Sequence, residues 1–288
     1  MGEGYMKSDI RHKYIECDYE RVHSKKIDED FDDLHLLDIR TKCSYVTKTI
    51  DSGVIRELEV YPIYPKKEMP DEWKIQKGRT AQKNLNNKNA KKNLIRLINS
   101  NFKNGDYFIT LGYSKDNLPK DHAQAKKNMQ NYIRRINYLI KKENLKPAKY
   151  IYITEHSEDK KIRCHHHLII STELPIDIVE GMWKLGRRNN MRKIDTDELW
   201  LTGLATYFTK DPKGKKRWCS SNNLKKPYIR KSHSKISKKR VNTMTTHQNL
   251  IQHEMERLNP GYVFVDYEIY LNPYNGRPYI YTRMRKLW

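Results

Sequence analysis

The sequence has few cysteines, no long apolar run and too few acidic residues for its basic ones, and each shortage excludes something. Its four cysteines, Cys17, Cys43, Cys164 and Cys219, are scattered and form no Cys-x-x-Cys pair. Neither a zinc ribbon nor a disulfide framework is therefore expected, and they read as reduced thiols. No apolar stretch approaches the roughly 18 residues of a membrane-spanning helix, and Met1 to Lys26 is charged throughout rather than signal-like. The expected location is the cytoplasm. There is no Gly-x-x-x-x-Gly-Lys-Ser/Thr loop, hence no recognisable ATP-driven helicase, and no internal repeat. Asp and Glu number 35 against 57 Lys and Arg, a net charge of +22 over 288 residues. Self-repulsion of that size weakens a compact state unless a polyanion offsets it, so nucleic acid is the expected partner, with anionic membrane the second reading.

Hydrophobic residues make up 37% of the chain, enough for a modest core under a wet, basic surface. Residues 1 to about 40 show no sustained periodicity. From Ser44 to Tyr64, β-branched and aromatic residues interrupted by Asp51-Ser52-Gly53 predict a hairpin turning at the glycine, with Pro62, Pro65 and Pro70 ending regular structure. Leu85, Leu94, Ile95, Leu97 and Ile98 predict a basic helix over Thr80 to Asn99, amphipathic mainly in its second half. Tyr107 to Leu111 reads as the first core strand. Asp121 can cap a helix running to about Lys142, where Met129, Tyr132, Ile133, Ile136, Leu139 and Ile140 recur at the spacing of one buried face. Tyr150 to Glu155 and Ile162 to Ser171 predict a hairpin around Ser157-Glu158-Asp159-Lys160. A strand, a helix and then paired strands imply an α+β sandwich of antiparallel sheet with helices on one face. Pro175 to Trp183 and Asp195 to Lys210 look helical. Lys225 to Arg240, basic without an acidic residue, reads equally as a solvated linker and as a DNA contact. Tyr262 to Tyr270 and Pro278 to Met284 predict a last hairpin around Asn272 to Gly276.

Chemistry concentrates in Arg163-Cys164-His165-His166-His167-Leu168-Ile169-Ile170 and, about 40 residues on, Tyr207-Phe208-Thr209-Lys210-Asp211. On a strand His165 and His167 point one way and His166 the other. Two imidazoles on one face make half a metal site, against the blander reading of structural histidines. Glu155 is the candidate third ligand, lying opposite His165 if the turn is centred near residue 160; a small slip would substitute His156 or Glu158. Such a ligand set with open positions suits Mg²⁺ or Mn²⁺. Tyr207 is the candidate nucleophile, and Lys210, at i+3 on the same helical face, would favour its phenolate. Among 20 tyrosines such a pair is commonplace, and position after the histidines is what singles it out. Gly203 and Asp211 leave no second tyrosine one turn away.

Tyr107-Phe108-Ile109-Thr110-Leu111, His-x-His with three apolar residues, and Tyr-x-x-Lys-Asp stand in the order and rough spacing of the three signatures of rolling-circle replication initiators, the HUH endonucleases. The segment from roughly 104 to 218 resembles them. One departure is that the residue between the two ligands is usually apolar in that family and here is His166. The resemblance implies an RRM-like or ferredoxin-like palm, with an N-terminal extension over 1–100, a catalytic core over 101–220 and a basic linker with a C-terminal hairpin over 221–288. It implies a single-tyrosine, metal-dependent nuclease that nicks and rejoins single-stranded or hairpin DNA at the replication origin of a plasmid, phage or integrative element, through a 5′-phosphotyrosine. Host helicase and polymerase, and a second copy of the chain on DNA, would be its partners. Conjugative relaxases and transposases use the same chemistry. From another class, a non-catalytic RNA binder would use Tyr107 and Phe108 on an RRM-like sheet. Arg163, Arg187, Arg188, Arg192, Lys213, Lys216 and Arg217 are candidate DNA contacts, with Trp218 as a stacking surface.

Overall fold

The computed structural model describes residues 14–23, 25–28, 42–68, 79–156, 163–186, 190–208 and 218–287. In chain order, and apart from a 3-10 turn at Lys66–Glu68, these hold β1 (Tyr14–Ile15), α1 (Tyr19–Val22), β2 (Lys25–Ile27), β3 (Ser44–Ser52), β4 (Ile55–Pro65), α2 (Arg79–Asn101), β5 (Tyr107–Gly112), α3 (His122–Lys142), β6 (Lys149–Glu155), β7 (His165–Ser171), α4 (Ile176–Gly181), β8 (Asn190–Lys193), α5 (Thr202–Tyr207), β9 (Cys219–Ser220), β10 (Tyr228–Ser232), α6 (Lys238–Thr246), α7 (Asn249–Leu258), β11 (Tyr262–Leu271) and β12 (Pro278–Lys286). Two compact units form, one from Ala90–Lys226 and the other from Met1–Asn89 with Pro227–Trp288. Among the described residues no helix is long and apolar enough to cross a membrane.

In the unit of residues 90–226 the strands lie in the order β8-β5-β7-β6-β9, every pair antiparallel. Without the edge strand β9, and numbered by place in the chain, that order is 4-1-3-2, the split βαβ arrangement of ferredoxin-like folds, with α3 and α4 as its two crossover helices. The helix α3 starts where Asp121 accepts a hydrogen bond from the Gln124 amide at 2.7 Å and buries Met129, Tyr132, Ile133, Ile136 and Ile140. Just past its end, Asn144 takes φ of 53°, in the left-handed region. Asp121→Ala should remove about 1 kcal/mol of stability, visible as a lower urea midpoint with an unchanged slope; an unchanged midpoint would show that the cap contributes nothing.

Alternation sends Ile109, Leu111, Tyr152, Leu168 and Ile170 toward α3, while Phe108, Ile151, Ile153 and Ile169 pack with Leu94, Ile98 and Phe102 from the end of α2 and with Ala205 and Phe208 around α5. Helices therefore cover both faces of this sheet, where the sequence pattern implied one. The reason is that Leu168, Ile169 and Ile170 are apolar in succession, which makes both faces of β7 hydrophobic. The helix expected over Asp195 to Lys210 shortens to α5, because a tight bridge joins Asp197 and Trp200 and Trp200 takes φ of 60°. The turn expected at Ser157 to Lys160, the side chain of Leu85 and Pro70 lie outside the described residues.

In the other unit the order is β10-β3-β4-β12-β11-β2, with β1 also pairing with β4. Gly53, with φ of 69°, turns the β3–β4 hairpin, and Gly276, with φ of 61°, lies in the β11–β12 turn. Pro62 does not end β4: registered pairs with β12 stop at Val60, so the missing proline N–H interrupts no ladder there. The strands from the two ends of the chain are neighbours, Val60 opposite Ile280. The basic run is built in as well, since Tyr228–Ser232 pairs with β3 and Ser237 caps α6 through the Arg240 amide. Val241, Met244, Ile251 and Met255 of α6 and α7 then cover Tyr45, Leu58, Val60, Ile269, Ile280 and Met284.

Candidate metal and tyrosine site

The β6–β7 ladder sets Glu155 opposite His165 and Ile153 opposite His167, and the β5–β7 ladder sets Thr110 opposite His167. Strand alternation therefore projects Glu155, His165 and His167 from one face. The two imidazole Nε2 atoms are 3.1 Å apart, and the Glu155 carboxylate oxygens lie 3.4 Å from the first and 3.6 Å from the second. Their candidate ligand atoms all fall within 4.8 Å of one another. His156, the alternative register, is not among these converging groups, and Glu158 lies outside the described residues.

The partners on the far side of each ring decide what the near side offers. His165 Nδ1 sits 2.8 Å from the Arg163 carbonyl, which can only accept, so Nδ1 carries a proton and Nε2 is the nitrogen turned to the cluster. His167 Nδ1 lies 3.0 Å from the Thr110 hydroxyl, which can accept in the same way. Two imidazole nitrogens and a carboxylate presented together fit a divalent cation. His166, on the opposite face, is fully buried and so touches no DNA. Burial, reinforced by the neighbouring histidines, pushes its pKa down to about 3 and keeps it neutral.

Tyr207 ends α5 with 38% of its surface exposed, and its hydroxyl stands 3.4 Å from His167 Nε2. Its ring meets the His167 ring edge-on at 5.1 Å and the Phe108 ring at 6.3 Å. Ala205 and Phe208 anchor α5 in the core, which leaves Tyr207 at the rim of the cluster. The Arg192 guanidinium lies 5.1 Å from the Phe108 ring centre, on β8 directly opposite Phe108. Arg163 donates to the Tyr113 carbonyl at 2.8 Å. Trp218 is half-buried against the core cluster below α5, so only part of it is open for stacking. Lys210, Arg187, Arg188, Lys213, Lys216 and Arg217 lie outside the described residues.

Sequence reasoning missed Thr110 and Phe108 as the backing of His167; their period-2 placement on β5, facing the histidines, was the available signal. Tyr107 packs toward α3 and Phe108 is 7% exposed, so the two do not form an open aromatic platform. Residues 106–217 match the family model of replication-associated protein ORF2/G2P. No curated protein and no solved structure gives a significant match. The matched segment contains the whole cluster and Tyr207.

Proposed function

We propose that the segment similar to replication-associated proteins, residues 106–217, is a metal-dependent endonuclease and strand transferase that starts rolling-circle replication by cutting and rejoining one DNA strand through Tyr207. The observation that carries this reading is the tyrosine hydroxyl 3.4 Å from His167 Nε2, beside a carboxylate and two imidazoles, in a chain of net charge +22. Glu155, His165 and His167 would hold Mg²⁺ or Mn²⁺, which supplies Lewis-acid polarisation of a nonbridging phosphate oxygen. Tyr207 attacks phosphorus as its phenolic proton passes to solvent. The Oη–P bond forms, the P–O3′ bond breaks, and the departing 3′ oxygen takes up a proton to become the hydroxyl that primes synthesis. One ester replaces another, so the reverse reaction rejoins the strand without ATP.

Lys210, three residues beyond Tyr207, would supply positive charge to the forming phenolate. Arg163 and Arg192, with Arg187, Arg188, Lys213, Lys216 and Arg217, would bind the phosphates flanking the scissile bond. The substrate would be single-stranded or hairpin DNA at an origin, with host helicase and polymerase following the nick and a second copy of the chain resolving the circle. The test is a labelled single-stranded origin oligonucleotide incubated with the protein and Mn²⁺ or Mg²⁺. An adduct that survives SDS is the expected outcome, and its absence across origin sequences that the protein binds would overturn the reading.

The basic run gives a separate prediction. Arg230 pairs with Asp51 and Lys231 with Glu16, so those two are poor probes of DNA binding. Neutralising Lys225, Lys226, Lys238 and Lys239 should lower the slope of log affinity against log salt by about 0.7 to 0.9 for each phosphate that is no longer neutralised by a lysine. Single-turnover cleavage of a saturating oligonucleotide should be unchanged. A constant slope would take these lysines out of the DNA interface.

A further inference from the structure

His166 occupies the position between the two proposed ligands, and the chemistry above makes no use of it. It is not idle in the fold. Its Nδ1 lies 2.9 Å from the Thr154 hydroxyl and its Nε2 lies 2.8 Å from the Tyr113 hydroxyl, so both ring nitrogens are engaged although the residue is fully buried. Thr154 is its direct partner on β6 and precedes Glu155; Tyr113 follows Gly112, the β5 partner of His165. Each hydrogen bond thus ends one residue from a group in the row that carries the cluster.

The connections continue outward on the same face. The Tyr113 hydroxyl also receives the Asn128 amide of α3 at 3.4 Å, and its carbonyl receives Arg163, just ahead of β7. Trp183 packs edge-on against both His166 and Tyr113, and its indole N–H donates to the Gly112 carbonyl at 2.7 Å. Gly186 lies against that same carbonyl so closely that a Cβ there would come within 2.1 Å of the oxygen. The end of β5 is therefore clamped from two sides where it adjoins the histidine strand.

We propose that His166 is a positioning residue: by bridging Thr154 and Tyr113 beneath the sheet, it fixes β5, β6 and β7 in the row from which Glu155, His165 and His167 converge. An apolar side chain at 166 would fill the same space, but dispersion has no direction, whereas two hydrogen bonds fix both the ring and its hydroxyl partners. Removing such outer support from metal-binding groups typically weakens metal affinity by about 10-fold or more. The inference rests on the metal reading of the triad, and the experiment separates the two.

Mn²⁺ binding to the full chain is measured by calorimetry and by electron paramagnetic resonance for the natural protein, His166→Leu, His166→Gln and Tyr113→Phe. His166→Leu is expected to weaken Mn²⁺ by about 10-fold and broaden its spectrum in protein that still folds, and Tyr113→Phe to shift affinity and spectrum in the same direction. His166→Gln, which keeps a donor and an acceptor, should restore part of the affinity. An affinity and spectrum unchanged in folded His166→Leu would overturn the positioning role while leaving the triad intact. Should His166→Leu fail to fold, Tyr113→Phe, which deletes one hydroxyl, decides in its place: natural affinity overturns the proposal. If the natural protein itself does not bind Mn²⁺, the triad reading fails first.

Discussion

Tyr207→Phe should abolish cleavage and covalent adduct, a loss of at least about 10³-fold in rate, while DNA affinity stays within about twofold. Phenylalanine keeps the ring that meets His167 and Phe108 edge-on and removes only the oxygen that stands 3.4 Å from His167 Nε2. His167 Nε2 keeps His165 Nε2 at 3.1 Å and the Glu155 carboxylate at 3.6 Å as polar neighbours, so the fold should be unaffected. The measurement is single-turnover cleavage of a labelled oligonucleotide, with peptide mapping of the adduct in the natural protein. An adduct on any other tyrosine would sink the assignment, and the chain has 20 of them.

The second large effect is expected at the triad. Glu155→Gln and His165→Ala should each reduce metal affinity by about 10²-fold and take metal-dependent nicking down with it, because each removes one of three candidate ligands and no fourth stands within the cluster among the described residues. These two are better probes than His167→Ala. His167 is 3% exposed and packed against Phe108, so its truncation also opens a cavity in the core, whereas the side chains of His165 and Glu155 are 24% and 23% exposed. Nicking rate against Mn²⁺ concentration checks the prediction: excess metal should recover part of the activity of both variants if the defect is in binding. Natural rates at low metal in either variant would remove that residue from the site.

What could be read from the sequence was local. The helix α3 shows its cap and its buried stripe within 22 residues, from Asp121 to Lys142, and the β3–β4 turn carries its glycine in plain view. The pairing of Glu155 with His165 follows from a short connection and the period of two, so the centre of the candidate site was legible. Other parts depend on contacts that no window contains. The neighbour of β4 is β12, and nothing near Val60 announces Ile280. Apolar spacing through Asp195 to Lys210 is compatible with one long helix, and only the tertiary setting of Trp200 stops it. The role of His166 was hidden for the same reason: its partners Tyr113 and Thr154 come from two other strand segments.

The adjacency of β4 and β12 has a consequence for how the chain is made. Pro65 closes β4 and Pro278 opens β12, so about 210 residues must be synthesised before β4 meets that partner. At roughly 5 to 20 residues per second, this is an interval of about 10 to 40 s on the ribosome. The whole Ala90–Lys226 stretch emerges within it and contains every strand of its own sheet. The β3–β4 hairpin meanwhile waits with the β12 side of β4 unpaired, and β4 is apolar along most of its length. Folding is thus expected to run out of chain order, the inserted middle first and the two ends last. That waiting edge, rather than the inserted segment, is where misassembly and chaperone dependence should concentrate.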